Sequence, residues 1–201
     1  MDFDNISLPN YTNNQIAQIA NNLLTSIGKA LPIEVDLIAE KNGFDLIPLS
    51  GLRNLSLTDA YLSHNKKEIA YDPDVATVRI RFSIAHELGH YFLHKDLMKE
   101  VRFTDYSEWR ELLKEIPGWF WGKVEMQANE FAGQLLVPRD MLIQVIVEYK
   151  TEIEAAMQYI PNDIKAIREY LAIPLAKRFE VSQDAMRIRL INENINPYDL
   201  I

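Results

Sequence analysis

The residues best equipped for chemistry lie between positions 84 and 94, IAHELGHYFLH, where His86, His90 and His94 recur every fourth position and Glu87 follows the first. Residues four apart share a helix face, so His86 and His90 can present two imidazole nitrogens to one ion from a rigid element. Glu87 is then placed to lean toward a water on that ion. This is the H-E-x-x-H arrangement, in which zinc lowers the pKa of its water toward neutrality and the glutamate takes the proton during attack on a carbonyl. The alternative is an amphipathic helix with ordinary histidines. It fits poorly with Ile84, Ala85, Leu88, Tyr91 and Phe92 around the polar face, because a purely structural buried helix does not need such costly polar groups.

A catalytic zinc takes three protein ligands and keeps one position open. His94 is the obvious neighbour, yet it lies two turns from His86, about 12 Å along the axis, and three histidines so spaced cannot readily share one tetrahedral ion. It is expected to be an outer neighbour, a packing residue or a substrate-facing group. The metzincin spacing also fails, since Leu93 and Asp96 stand where Gly and His would be needed. Another helix must supply the ligand, and the best source is KVEMQANEFAGQLLVP, residues 123–138. Glu125 and Asn129 are four apart on a face that continues to the small residues Ala128 and Ala132, which would allow close approach to the histidine helix. A Glu125 carboxylate would complete a His2Glu set. Glu130 is the rival ligand, but it sits about 100° round the helix from Asn129 and is expected to face solvent.

RFSIAHELGHYFLH, followed by E-x-x-A-N-x-F-A-x-x-L-L-x-P from Glu125 to Pro138, resembles the ImmA/IrrE metallo-endopeptidases. LPIEVDLIAEKNGFDLIPL resembles their entry segment, and the likeness runs from about residue 31 to 138, more loosely elsewhere. The resemblance implies that His86, His90 and Glu125 bind zinc, that Glu87 is the catalytic base, and that Asn129 matches the motif's asparagine. It also implies a zincin-like domain and a regulatory protease that cuts a helix-turn-helix repressor. The donor that would stabilise a tetrahedral intermediate stays open among Tyr61, His64, Tyr71 and His94.

These residues need elements to hold them. Thr12 can cap a helix whose stripe is Ile16, Ile19, Ala20, Leu23, Leu24 and Ile27, ending near Gly28. A short helix is expected from Pro32 to Gly43. The period then changes: Phe44–Leu49, Leu57–Ser63 and the EIAYDP segment read as three strands of a small antiparallel sheet. Asp72-Pro73 closes it, and Asp74 or Thr77 can cap a long helix through the histidines to about Lys95. Further helices are expected from about Lys123 to Val137 and from Pro138 onward through Met141, Leu142, Val145 and Ile146. Trp109, Trp119, Phe120 and Trp121 lie between the two motifs, either as a satellite core or as a rim to the cleft. The expected architecture is α+β, with a metallopeptidase domain at residues 1–160 and a helical, helix-turn-helix-like segment at 161–201.

That tail has breaks at Pro174 and at Val181-Ser182. In it, Leu175, Ala176 and Phe179 face Ala185, Met186 and Leu190 across a turn, with Ser182 capping the second helix. DNA reading is a separate claim. From Pro161 onward six basic residues are balanced by six acidic ones, and Asp184 stands where a reading helix would start, so a packing or partner-recognition role is favoured over direct DNA binding.

Composition narrows the classes further. The 201 residues carry a net charge of −8 with a pI near 5.0, which argues against broad attraction to nucleic acid or anionic membrane. With no cysteine, any transition-metal site must use histidines and carboxylates, which suits a cytoplasmic location. No basic, apolar leader opens the sequence and no long apolar run appears, against secretion and membrane spanning. The reading is a cytoplasmic zinc endopeptidase with a protein substrate. The rival is a non-proteolytic regulator, binding DNA or a partner protein, in which zinc is structural. An intact Glu87 favours the enzyme, because a structural site needs no base.

Overall fold

In the computed structural model, residues 10–28, 30–63, 66–100, 114, 116–161 and 163–201 are described. Helix α1, Asn13–Thr25, starts where Thr12 forms a capping box with Gln15: the Thr12 hydroxyl accepts from the Gln15 N–H and the Gln15 amide oxygen accepts from the Thr12 N–H. Its buried face is Ile16, Ala20 and Leu24. Helix α2, Val35–Lys41, begins three residues later than Pro32 suggested. The carbonyl of Ile33 is already taken by the Val35 N–H and by the Arg81 guanidinium, so residues before Val35 are committed to other contacts.

The sheet departs from expectation. Strands β1, Asp45–Pro48, β2, Ala60–Ser63, and β3, Glu68–Tyr71, lie in the order β1-β3-β2, with β1 parallel and β2 antiparallel to β3. It is therefore mixed rather than wholly antiparallel, within the expected α+β class. The cause is a short helix, α3, Leu52–Ser56, between the first two expected strands, which ends at Leu57 in the left-handed region (φ 61°) so that β2 starts only at Ala60. The chain returns from it to the far side of β3, leaving β2 at the sheet edge. Asp72 fixes this corner: its carboxylate accepts from the backbone N–H groups of Arg53 and Asp74, which holds its pKa below the usual carboxylate value.

Helix α4, Thr77–Glu100, carries the histidines. It packs on α2, β2 and β3 and most extensively on helix α5, Gly118–Leu136. Surrounded on several sides, it has no single apolar stripe. The approach to α5 is close because Gly89 has no side chain: a Cβ there would come within 3.1 Å of Phe131 and 3.2 Å of the Ala128 backbone. After α5, Pro138 stands as N-cap of α6, Arg139–Glu148, and α7 follows at Lys150–Met157.

Helix α8, Ile164–Phe179, runs straight through Pro174, where a break was expected. The missing N–H leaves the carbonyl of Tyr170 without its helical partner, but Tyr170 is half exposed, so water can replace the bond. The chain turns at Glu180, beside the break expected at Val181-Ser182; the residue is left-handed at φ 51°, and the Val181 N–H returns to the Ala176 carbonyl. Ser182 then caps α9, Gln183–Asn192, as expected. The pair has helix-turn-helix shape, and Leu171, Leu175, Phe179, Met186 and Leu190 join the same hydrophobic core as Ile16, Ile84, Leu88 and Phe131.

Candidate metal centre

One face of α4 and one of α5 converge on a group of three side chains. The Nε2 atoms of His86 and His90 are 2.9 Å apart, and the Glu125 carboxylate lies 3.3 Å from the first and 3.2 Å from the second. All three offer a ligand atom within 4.8 Å of the others. The ligand atoms of a tetrahedral zinc at about 2.0–2.1 Å would be separated by roughly 3.3 Å, so the spacing suits that coordination.

The hydrogen bonds behind this group account for its protons. His86 Nδ1 is 3.0 Å from the Asn129 amide oxygen and donates to it, which leaves Nε2 as a lone pair. His94 Nε2 donates to the Gln127 amide oxygen at 2.9 Å, so its Nδ1 accepts from His90 Nδ1 at 3.2 Å. His90 therefore also turns a lone pair inward. Two imidazole lone pairs and a carboxylate facing one another repel unless positive charge stands between them, and a divalent cation supplies it.

The titration of the same groups expresses that preference. Burial works against charge on His86, but the hydrogen bond its protonated ring gives to Glu125 and the charges of Glu87 and Glu125 outweigh it and raise its pKa. Burial dominates at His90 and pulls it down to about 4. Burial works against charge on Glu125 as well, but a proton on either facing imidazole nitrogen is donated to it, and this holds its pKa well below the usual range. Glu87 is pushed up to about 7 by burial, against the opposing effects of His86 and the Leu62 N–H. That N–H belongs to edge strand β2, which ties the Glu87 carboxylate to the sheet.

The other candidates sort cleanly. His94 is fully buried behind His90 and contacts its far nitrogen. Glu130 does not face solvent, as its helical position had suggested. Its side chain is 10% exposed and bonds Arg189, Asn192 and Gln134, away from the histidines. Tyr61 sits on β2 beside Leu62, whereas Tyr71 pairs with Ala60 and packs on the core; His64 and Trp109 fall outside the described residues. Of the aromatic group, Phe120 is core, Trp119 is exposed, and Trp121 stacks on the His90 ring at 5.8 Å and 11°. Gln127 and the Leu62 N–H went unnoticed in the sequence. A buried glutamine on an apolar helix was the available signal for the first, and Trp121, four residues before Glu125, shares its face.

Residues 39–190 match the IrrE N-terminal-like domain family, peptidase M78. Metallopeptidase ImmA of Bacillus subtilis (strain 168) is 34% identical over 95 residues, 47% of this chain and 45% of that protein. A Mycobacterium tuberculosis transcriptional regulator shares the fold with a TM-score of 0.54 at 18% identity, over 87% of this chain and 46% of that one. Both matches thus span less than half of the relative's length. With the family match covering most of the sequence, this chain belongs to the IrrE N-terminal-like family of ImmA-type metallopeptidases.

Proposed function

We propose that this chain is a zinc-dependent endopeptidase. The observation that carries the reading is the convergence of two imidazole lone pairs and a carboxylate at tetrahedral spacing, with Glu87 beside them. His86, His90 and Glu125 would hold the ion, which when bound would acidify a water and polarise a peptide carbonyl. Glu87, anchored by the Leu62 N–H, accepts the proton of the attacking water and delivers it to the departing amine. Asn129 and His94 hold the two imidazoles in the tautomers the ion requires. Trp121 covers the His90 ring and limits access of solvent.

We further infer a regulatory role in the cytoplasm with a helix-turn-helix repressor as substrate, on the strength of the family resemblance. Residues 1–160 form the peptidase domain in this reading and 161–201 its helical appendage. Among the described residues no helix is long and apolar enough to cross a membrane. The test is Glu87→Gln, which should keep about one zinc per chain by elemental analysis while cleavage of a co-expressed repressor falls by about 10²–10⁴-fold. Normal cleavage by that variant would remove Glu87 from the mechanism.

A further inference from the structure

A cleft of about 810 Å³ opens beside the metal centre and continues past it. Its floor is one stripe of α5, on which Glu125, Asn129 and Gly133 follow at one-turn intervals, with Val137 just past the helix end. Phe82, one turn before His86 on α4, forms one wall, and Ala185 and Ile188 of α9 form the other. The second helix of the helix-turn-helix pair thus turns a face to the cleft.

The charges on that helix are already engaged. Arg189 is buried and bonds the Val137 carbonyl, Gln134, Glu130 and Glu193; Arg187 bonds Glu169 and Asp184. Phosphate neutralisation by free basic groups supplies most of the affinity for DNA, and neither arginine is available for it. At the opposite wall Arg79 is paired with Asp59. With its ions matched internally apart from Glu125 at the metal centre, the rest of the cleft offers mainly apolar surface for recognition, and Ile188 at 58% exposure is the most prominent part of the α9 wall.

We propose that α9 is the specificity wall of the substrate cleft, with Ile188 and Ala185 receiving an apolar side chain of an extended protein substrate. The proposal rests on the endopeptidase reading. The cleft's continuity with Glu125 and Asn129 identifies the occupant as the same polypeptide that reaches the metal centre. Gly133, which neighbours the Arg189 side chain, is about 12 Å along the α5 axis from Glu125, the reach of three or four extended residues. The side chain read by α9 therefore lies three or four positions from the scissile bond.

The experiment is digestion of a proteome-derived peptide library by the zinc-loaded protein, with cleavage sites read by mass spectrometry. The wild type should enrich apolar residues at the third or fourth position from the cut, and Ile188→Glu should reduce that enrichment about tenfold or more with unchanged zinc content. An identical profile overturns the proposal. A second measurement separates it from the activity itself: a photo-crosslinking phenylalanine at position 188, in zinc-loaded Glu87→Gln protein, should capture peptides from the same library. Cross-links without cleavage by the wild type would sink the endopeptidase reading while leaving α9 as a wall that binds polypeptide, whereas no cross-links would sink the wall. Binding of a random-sequence DNA duplex that Ile188→Glu abolishes, seen by anisotropy, would assign the helix to nucleic acid and overturn the proposal.

Discussion

Two polar clusters lie five residues apart on helix α5, and they solve the problem of buried charge in opposite ways. Around Glu125, the His86 and His90 lone pairs meet a carboxylate, and positive charge has to come from an ion or a proton. Around Glu130 the chain brings its own cation. Arg189, 3% exposed, lies between Glu130 and Glu193 and donates further to Gln134 and Val137. A guanidinium with its donors satisfied makes a structural cluster; a set of convergent acceptors with an open side makes a candidate metal centre. The lesson is that a glutamate's role on this helix depends on what α4 and α9 set opposite it.

The comparison can be broken by exchanging losses. Glu125→Ala should lower zinc affinity by at least about 100-fold in a competition titration, since even outer-shell partners of metal ligands are worth 10–100-fold. Zinc held as tightly as in the wild type would mean the third ligand lies elsewhere. Arg189→Ala should do the converse: cost about 3–5 kcal/mol in urea denaturation by leaving the buried Glu130 without its cation, Glu193 keeping Arg139, with zinc affinity within about twofold. A fall in metal affinity matching the loss of stability would show the clusters to be one unit.

Within the metal centre, His94→Leu should weaken zinc binding by about 10–100-fold, because His90 loses the acceptor that fixes its tautomer. Unaltered affinity would reduce His94 to packing. The smallest effect belongs to Asp72, whose carboxylate serves neither cluster. Its folded pKa lies below its unfolded value, so its contribution is present above about pH 3.9 and disappears as pH falls through the folded value. Denaturation from pH 5 to 2 should show a loss of stability that Asp72→Asn lacks; parallel curves would contradict it.

The sequence was most legible where a local rule governs. Helix spacing separated His94 from the His86–His90 pair, the pattern of small residues pointed to the face of α5 that approaches α4, and Thr12 and Ser182 marked helix starts through their own hydroxyls. It was least legible where a distant segment decides. Pro174 broke no helix because the orphaned carbonyl lies at the surface, whereas the turn did fall where it was expected, at Glu180 to Ser182. The parallel pairing of β1 with β3 depends on α3, which lies in the gap between the two stretches that read as strands.

By itself, then, the sequence determined which residue types could hold a metal and which helix faces bear them, because side-chain period is a property of the backbone. Tertiary structure decided which of two nearby glutamates meets the histidines, since Glu125 and Glu130 differ by less than two turns and only their partners across the packing interfaces distinguish them. It also decided the hydrogen-bond chain from His90 through His94 to Gln127, because His90 and His94, four apart on α4, acquire a common purpose only when α5 sets Gln127 against them.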